Sequence, residues 1–167
     1  VTEGELLLPP SQTDLNKLQG KRVVMVGDSM RKELAAIGNG FMGQDVAALT
    51  VLTRSEDSAR ELQHAIDATD SVAFDVRCVG DDIEGALDHI LREEGGFDVV
   101  VSSPFERLPL NALAGERHKS WDRVLSDQQF RDLVNDQLTH HFRVARISAL
   151  VPNCQIVLLT PDTSLAS

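Results

Sequence analysis

The sequence predicts an α/β protein built on a parallel sheet with helices on both faces. Three observations carry this expectation. Short apolar runs alternate with amphipathic helical stretches along most of the chain. The first run, Arg22 to Val26, meets a turn at Gly27 and passes directly into a helix. The fourth, Phe97 to Val101, reads FDVVV and is apolar enough to need cover on both faces. Right-handed crossovers between such units give a doubly wound, Rossmann-like sheet of strand order 3-2-1-4-5, with any site at the C-terminal ends of the strands.

Each element has its own local cause. Residues Val1 to Gln19 form a lead-in, because Leu6-Leu7-Leu8 runs into Pro9-Pro10, which cannot continue a helix. One unit then spans Gly20 to Ser167. After the first strand a helix is expected from Ser29 to Ile37, ending near Gly38 and Gly40. Val46 to Leu52 is a second buried strand. Ser55 caps a helix that places Ala59, Leu62 and Ile66 on one face. Val72 to Val79 is the third strand. Asp81 or Asp82 caps the next helix, whose Ile83, Ala86, Leu87, Ile90 and Leu91 share one buried face. Gly95-Gly96 stops it before the FDVVV strand.

An irregular stretch, Ser102 to Lys119, precedes a long helix. Ser126-Asp127-Gln128-Gln129 has the form of a capping box, and Phe130, Leu133, Val134, Leu138, Phe142 and Ala145 make an apolar stripe. Pro152 ends the helix, and Gln155 to Leu159 is the fifth strand, after which the unit is truncated. The chain opens on Val1 and is read as part of a longer polypeptide.

At 167 residues the chain is long enough for one domain with a sizeable core. A net charge of −10 argues against nucleic acid and anionic membrane surfaces as main partners. No apolar run is long enough to span a bilayer. Cys78 and Cys154 lie far apart, in or beside strands, so buried free thiols and a reducing, cytoplasmic setting are expected.

Chemistry is sought first at the strand ends. A dinucleotide site would carry G-x-G-x-x-G or G-x-x-x-G-x-G after the first strand, so that backbone amides reach a pyrophosphate. The turn here reads Gly27-Asp28-Ser29-Met30-Arg31-Lys32-Glu33, and Gly27 alone remains. Asp28 is expected to cap the helix, and its carboxylate would repel a phosphate placed there. Ser29 and Arg54 are the two cofactor-facing candidates. Arg54 follows the second strand, where an arginine suits a ribose 2′-phosphate, although a surface position beside the Ser55 cap is the plainer reading.

Arg107, the Arg117-His118-Lys119 cluster and Thr160 are candidates for a phosphate or substrate edge, and each also reads as ordinary loop. His140-His141 is not expected to bind metal. Adjacent helical residues diverge by about 100° and no supporting ligand is spaced to join them, so packing or an interface is the expected role. No G-x-S-x-G elbow is present.

The helix Gln137-Leu138-Thr139-His140-His141-Phe142-Arg143-Val144-Ala145-Arg146 and the strand after it resemble the short-chain dehydrogenase/reductases. There the helix carries N-L-x-x-x-F-x-V, and a strand of the form I-V-N-I-S-S follows. Gln137 stands at the Asn position, and the catalytic Ser position falls at or next to Thr160-Pro161. Ser102-Ser103-Pro104-Phe105 replaces the usual N-N-A-G. The Tyr-x-x-x-Lys pair would lie beyond Ser167, and the chain contains no Tyr.

More specifically, the run from Ser103 to Leu150, with the strand and TPDTS that follow, resembles the C-terminal part of the bifunctional malonyl-CoA reductase family. That family serves carbon fixation, making 3-hydroxypropionate from malonyl-CoA through malonate semialdehyde in two NADPH-dependent steps. Tandem reductase-like units build it, some of them without the signature residues. The resemblance implies a degenerate, noncatalytic unit, with NADPH belonging to the parent enzyme and none expected in this segment. Its implied partners are a catalytic reductase unit of the same polypeptide and a homodimer of the parent. Phe130, Val134, Leu138, His141 and Phe142 would supply the interface. A CoA- or nucleotide-binding accessory unit is the alternative. A standalone reductase is a third reading, opposed by the missing glycines, Asp28 and Pro161.

Overall fold

The computed structural model describes residues 18–104 and 127–159, without the side chains of 127–130 and 132–137. The elements run β1 (Arg22–Val26), α1 (Arg31–Met42), β2 (Ala48–Thr53), α2 (Glu56–Ala65), β3 (Ala73–Cys78), α3 (Ile83–Glu93), β4 (Val99–Ser102), α4 (Asp127–Ser148) and β5 (Gln155–Leu158). The five strands form one parallel sheet in the order β3-β2-β1-β4-β5, as the alternation of strand and helix predicts.

Side-chain alternation along β1 divides the core into two layers. Val23 and Met25 face α1 and α2, where Leu34, Met42, Leu62 and Ile66 meet Leu49 and Val51 of β2. Val24 and Val26 face α3 and α4, where Ile83, Leu87, Ile90 and Val144 meet Leu52 and Val100. Every residue of β2 and β4 is buried, so the central strands are covered on both faces. β5 is exposed along its length, with Ile156, Val157 and Leu158 each between 39% and 50% accessible.

Caps explain most of the helix boundaries. Ser55 accepts from the Ser58 amide and Asp82 from the Gly85 amide, as the sequence predicts. Gly95 and Gly96 end α3 in left-handed conformations, at φ 87° and 76°. At the base of the sheet Asp98 accepts from the Arg22 amide at 2.9 Å, and Arg22 Nε donates to the Gly96 carbonyl at 3.0 Å. Arg77 grips Glu94 through two nitrogens, at 2.6 and 2.9 Å, which ties β3 to the end of α3.

Three expectations are corrected, on the end of α1, the role of Asp28 and the burial of the cysteines. α1 does not stop at Gly38 and Gly40 but runs through both to Met42, with Gly43 as its C-cap. Gly38 is a contact residue there: a Cβ at this position would lie 2.7 Å from Ile66 Cδ1. Asp28 does not cap α1. Met30 is the N-cap, without a side-chain bond, because Asp28 turns instead towards β2. In the described part of α4, the buried positions are His140, Val144 and Ser148, at i, i+4 and i+8. Leu138 and Phe142 point outwards, each 64% exposed. Cys78 and Cys154 are free as expected, yet half-buried rather than enclosed.

Candidate functional site

The C-terminal ends of β1, β2 and β4 meet where a doubly wound sheet holds its ligands. Gly27 lies here at φ 133°, a conformation that side-chain-bearing residues avoid. Its amide donates to the Leu52 carbonyl at 3.0 Å. Ser103 crosses so close that a Cβ on Gly27 would sit 2.8 Å from both the Ser103 carbonyl carbon and its Cβ. The glycine therefore admits a neighbouring strand end.

Two further amides of the turn are committed to the protein. Asp28 N–H and Ser29 N–H both donate to the Pro104 carbonyl, at 3.4 and 3.0 Å. Ser103 N–H returns a bond to the Val26 carbonyl at 2.7 Å. The turn and the segment leaving β4 are thereby stitched together. The Ser29 hydroxyl is buried beneath this seam without a hydrogen-bond partner among the described residues.

The Asp28 carboxylate, with only 7% of the residue exposed, accepts from the Arg54 amide at 3.2 Å. Arg54 pairs through Nε with Asp81 at 2.9 Å. The position suited to a ribose phosphate thus holds an arginine already engaged by a carboxylate from the loop after β3. Thr53, fully buried, donates to carbonyls of Ser55 and Arg77 and closes the end of β2.

At the end of β4, Ser102 receives two imidazoles from α4. Its Oγ lies 3.2 Å from His140 Nε2 and 2.8 Å from His141 Nδ1. Successive helical residues reach one hydroxyl because they present different ring nitrogens. His140 is pushed down to about 4, chiefly by burial; the neighbouring His141 adds to the fall, a bond with the Ser103 backbone opposes it, and Arg54 and Arg143 add smaller contributions. Burial also holds His141 below its ordinary value. Ser102 is wholly buried and His140 is 5% exposed, whereas His141 is only partly buried.

The structure places Ser29, Asp28 and Arg54 together at the strand ends and sets His141 against Ser102. Leu138 and Phe142 lie on the outer face of α4. Phe130 and Val134 belong to α4, with their side chains outside the described residues. Arg107, Arg117, Lys119 and Thr160, and the serine of the proposed capping box, Ser126, also lie outside them. Among the described residues no cluster of three or more His, Cys, Asp or Glu could hold a metal ion. No helix among them is long and apolar enough to cross a membrane. Sequence reasoning missed the Ser102 pairing; its one local trace was the i, i+4, i+8 series that puts His140 in line with Val144 and Ser148.

These features do not fit a bound dinucleotide at the turn. Two of the turn amides that would meet a pyrophosphate are bonded to Pro104, and a carboxylate is buried beside them.

No protein-family model matches the chain, and none of the curated proteins does. Among solved structures, the chain is similar to one described as the C-domain, with NADP, of a bacterial malonyl-CoA reductase. The two are 32% identical, with a TM-score of 0.78, over 98% of this chain and 24% of the other. The chain therefore spans about a quarter of that structure's length.

Proposed function

This chain is a relative of the malonyl-CoA reductase C-domain over 98% of its own length, and from that premise we propose that it is a Rossmann-like structural unit with no catalytic centre of its own. Its parent would be an NADPH-dependent enzyme taking malonyl-CoA through malonate semialdehyde to 3-hydroxypropionate. The observation that carries this reading is the turn after β1, where the Asp28 and Ser29 amides share the Pro104 carbonyl. A turn that completes its hydrogen bonds within the chain gains little by receiving a phosphate.

The unit acts through its surface in this reading. α4 presents Leu138 and Phe142 to solvent, and an exposed apolar pair on a long helix suits a helix–helix contact. The proposed partner is the equivalent helix of a catalytic reductase unit, within a homodimeric, cytoplasmic parent.

One finding favours the accessory nucleotide-binding alternative: the related C-domain structure contains NADP. Titration of NADPH into the folded chain, followed by cofactor fluorescence, separates the two. The structural reading expects no saturation at micromolar cofactor. Saturable binding in that range would replace it with the accessory reading. Oxidation of NADPH by the chain alone with malonyl-CoA or malonate semialdehyde would establish a reductase in its own right.

A further inference from the structure

The end of β4 and the middle of α4 are joined by a contact that the structural role does not require. A hydroxyl has one proton and two lone pairs, so Ser102 can donate to one neutral imidazole while accepting from another. The two ring centroids are 5.3 Å apart, tilted by 50°. Val144 and Ser148 continue the same buried line along α4. Ser148 spends its hydroxyl on the Val144 carbonyl of its own helix, at 2.8 Å. Ser102 is thus the polar socket on the sheet into which this part of the helix is seated.

We propose that Ser102, His140 and His141 form an acid-released latch, which pins α4 to the sheet while both rings are neutral and lets it go when they are protonated. Two imidazolium ions this close repel, and a hydroxyl offers them no counter-charge. Among the described residues, the charged side chains that bear on His140 are cationic. Arg54 approaches from the end of β2, and Arg143 lies on α4 itself. Of the described carboxylates on the neighbouring elements, Asp28 accepts from the Arg54 amide, Asp81 pairs with Arg54, and Glu84 of α3 pairs with Arg146 of α4. Burial already disfavours charge on His140. The inference stands whether or not the chain is noncatalytic, because it concerns how α4 is held.

Hydrogen exchange of the 167-residue chain tests it. Protection of the Val144–Ser148 amides is compared with that of the Leu87–Leu91 amides of α3 at pH 7.5 and pH 5, after correction for intrinsic exchange. The latch expects α4 to lose at least about tenfold more protection than α3 on acidification. It expects that difference to vanish in the double variant His140→Gln, His141→Gln. Equal protection ratios at the two pH values, or the same loss in the double variant, would overturn the proposal. Should the double variant not fold, imidazole NMR of the unmodified chain decides. Ring protonation must then coincide with loss of α4 protection, and charged rings beneath a still-protected helix would refute the latch.

Discussion

Gly27 holds a backbone angle of 133° with Ser103 pressed against it, and both facts demand the absence of a side chain. Gly27→Ala is therefore expected to destabilise the chain by about 3 kcal/mol or more, from backbone strain together with overpacking. Urea unfolding monitored by circular dichroism measures this, and a loss below about 1 kcal/mol would show that the seam can open without cost. His140 gives a second residue-scale expectation, with a definite sign. Its folded value near 4 lies below the ordinary 6.5, so the unfolded chain binds the proton more tightly. Stability is complete above pH 6.5 and is lost as the pH falls from there towards 4, by about 2 kcal/mol at pH 5. Neither this pairing nor the true role of Asp28 was legible in the sequence. A capping rule inspects only the next few residues, whereas Asp28 bonds to Arg54 and Ser102 to His140, 26 and 38 positions away.

Among the elements, the strands were the most legible. β2 and β4 are continuous apolar runs because helices cover both faces, and such runs are recognisable without knowing which helices do so. α2 and α3 were equally clear, since Ser55 and Asp82 cap them as local chemistry dictates. α1 was cut short because Gly38 resembles a stop when seen alone. In the folded chain it lets α1 approach α2, with Ile66 filling the space a methyl would occupy. Gly38→Ala should thus cost about 1–3 kcal/mol despite alanine's better helix propensity. Adding Ile66→Val, which removes the offending Cδ1, should recover part of that loss. Urea midpoints of the single and double variants check the coupling; strictly additive effects would mean that the two side chains do not compete for this space.

Over the whole molecule, the sheet is finished at its centre and bare at β5, while α4 turns Leu138 and Phe142 away from the core. The stripe on α4 was visible in the sequence, but which of its members face inwards was not, because His140 and Ser148 take sheet-facing places that pattern reading reserves for apolar residues. If the outer pair docks on a neighbouring unit, Phe142→Asp should lower parent-enzyme activity and assembly by about tenfold while leaving the fold of this unit intact, since a desolvated charge at a contact is costly. Activity assays and size-exclusion chromatography of the full polypeptide measure this. Wild-type activity with unchanged assembly would remove α4 from the interface.

The bond from the turn after β1 to Pro104 also changes what the fold depends on. A nucleotide-completed turn obeys mass action: it is filled in proportion to cofactor supply, and its stability rises with the logarithm of that supply. Here the acceptor is tethered to the same chain, at an effective concentration fixed by the peptide linkage. A unit completed in this way keeps its shape when the cofactor pool is drained, and, if it docks on a catalytic neighbour as proposed, it would go on holding that neighbour in place through the starved interval.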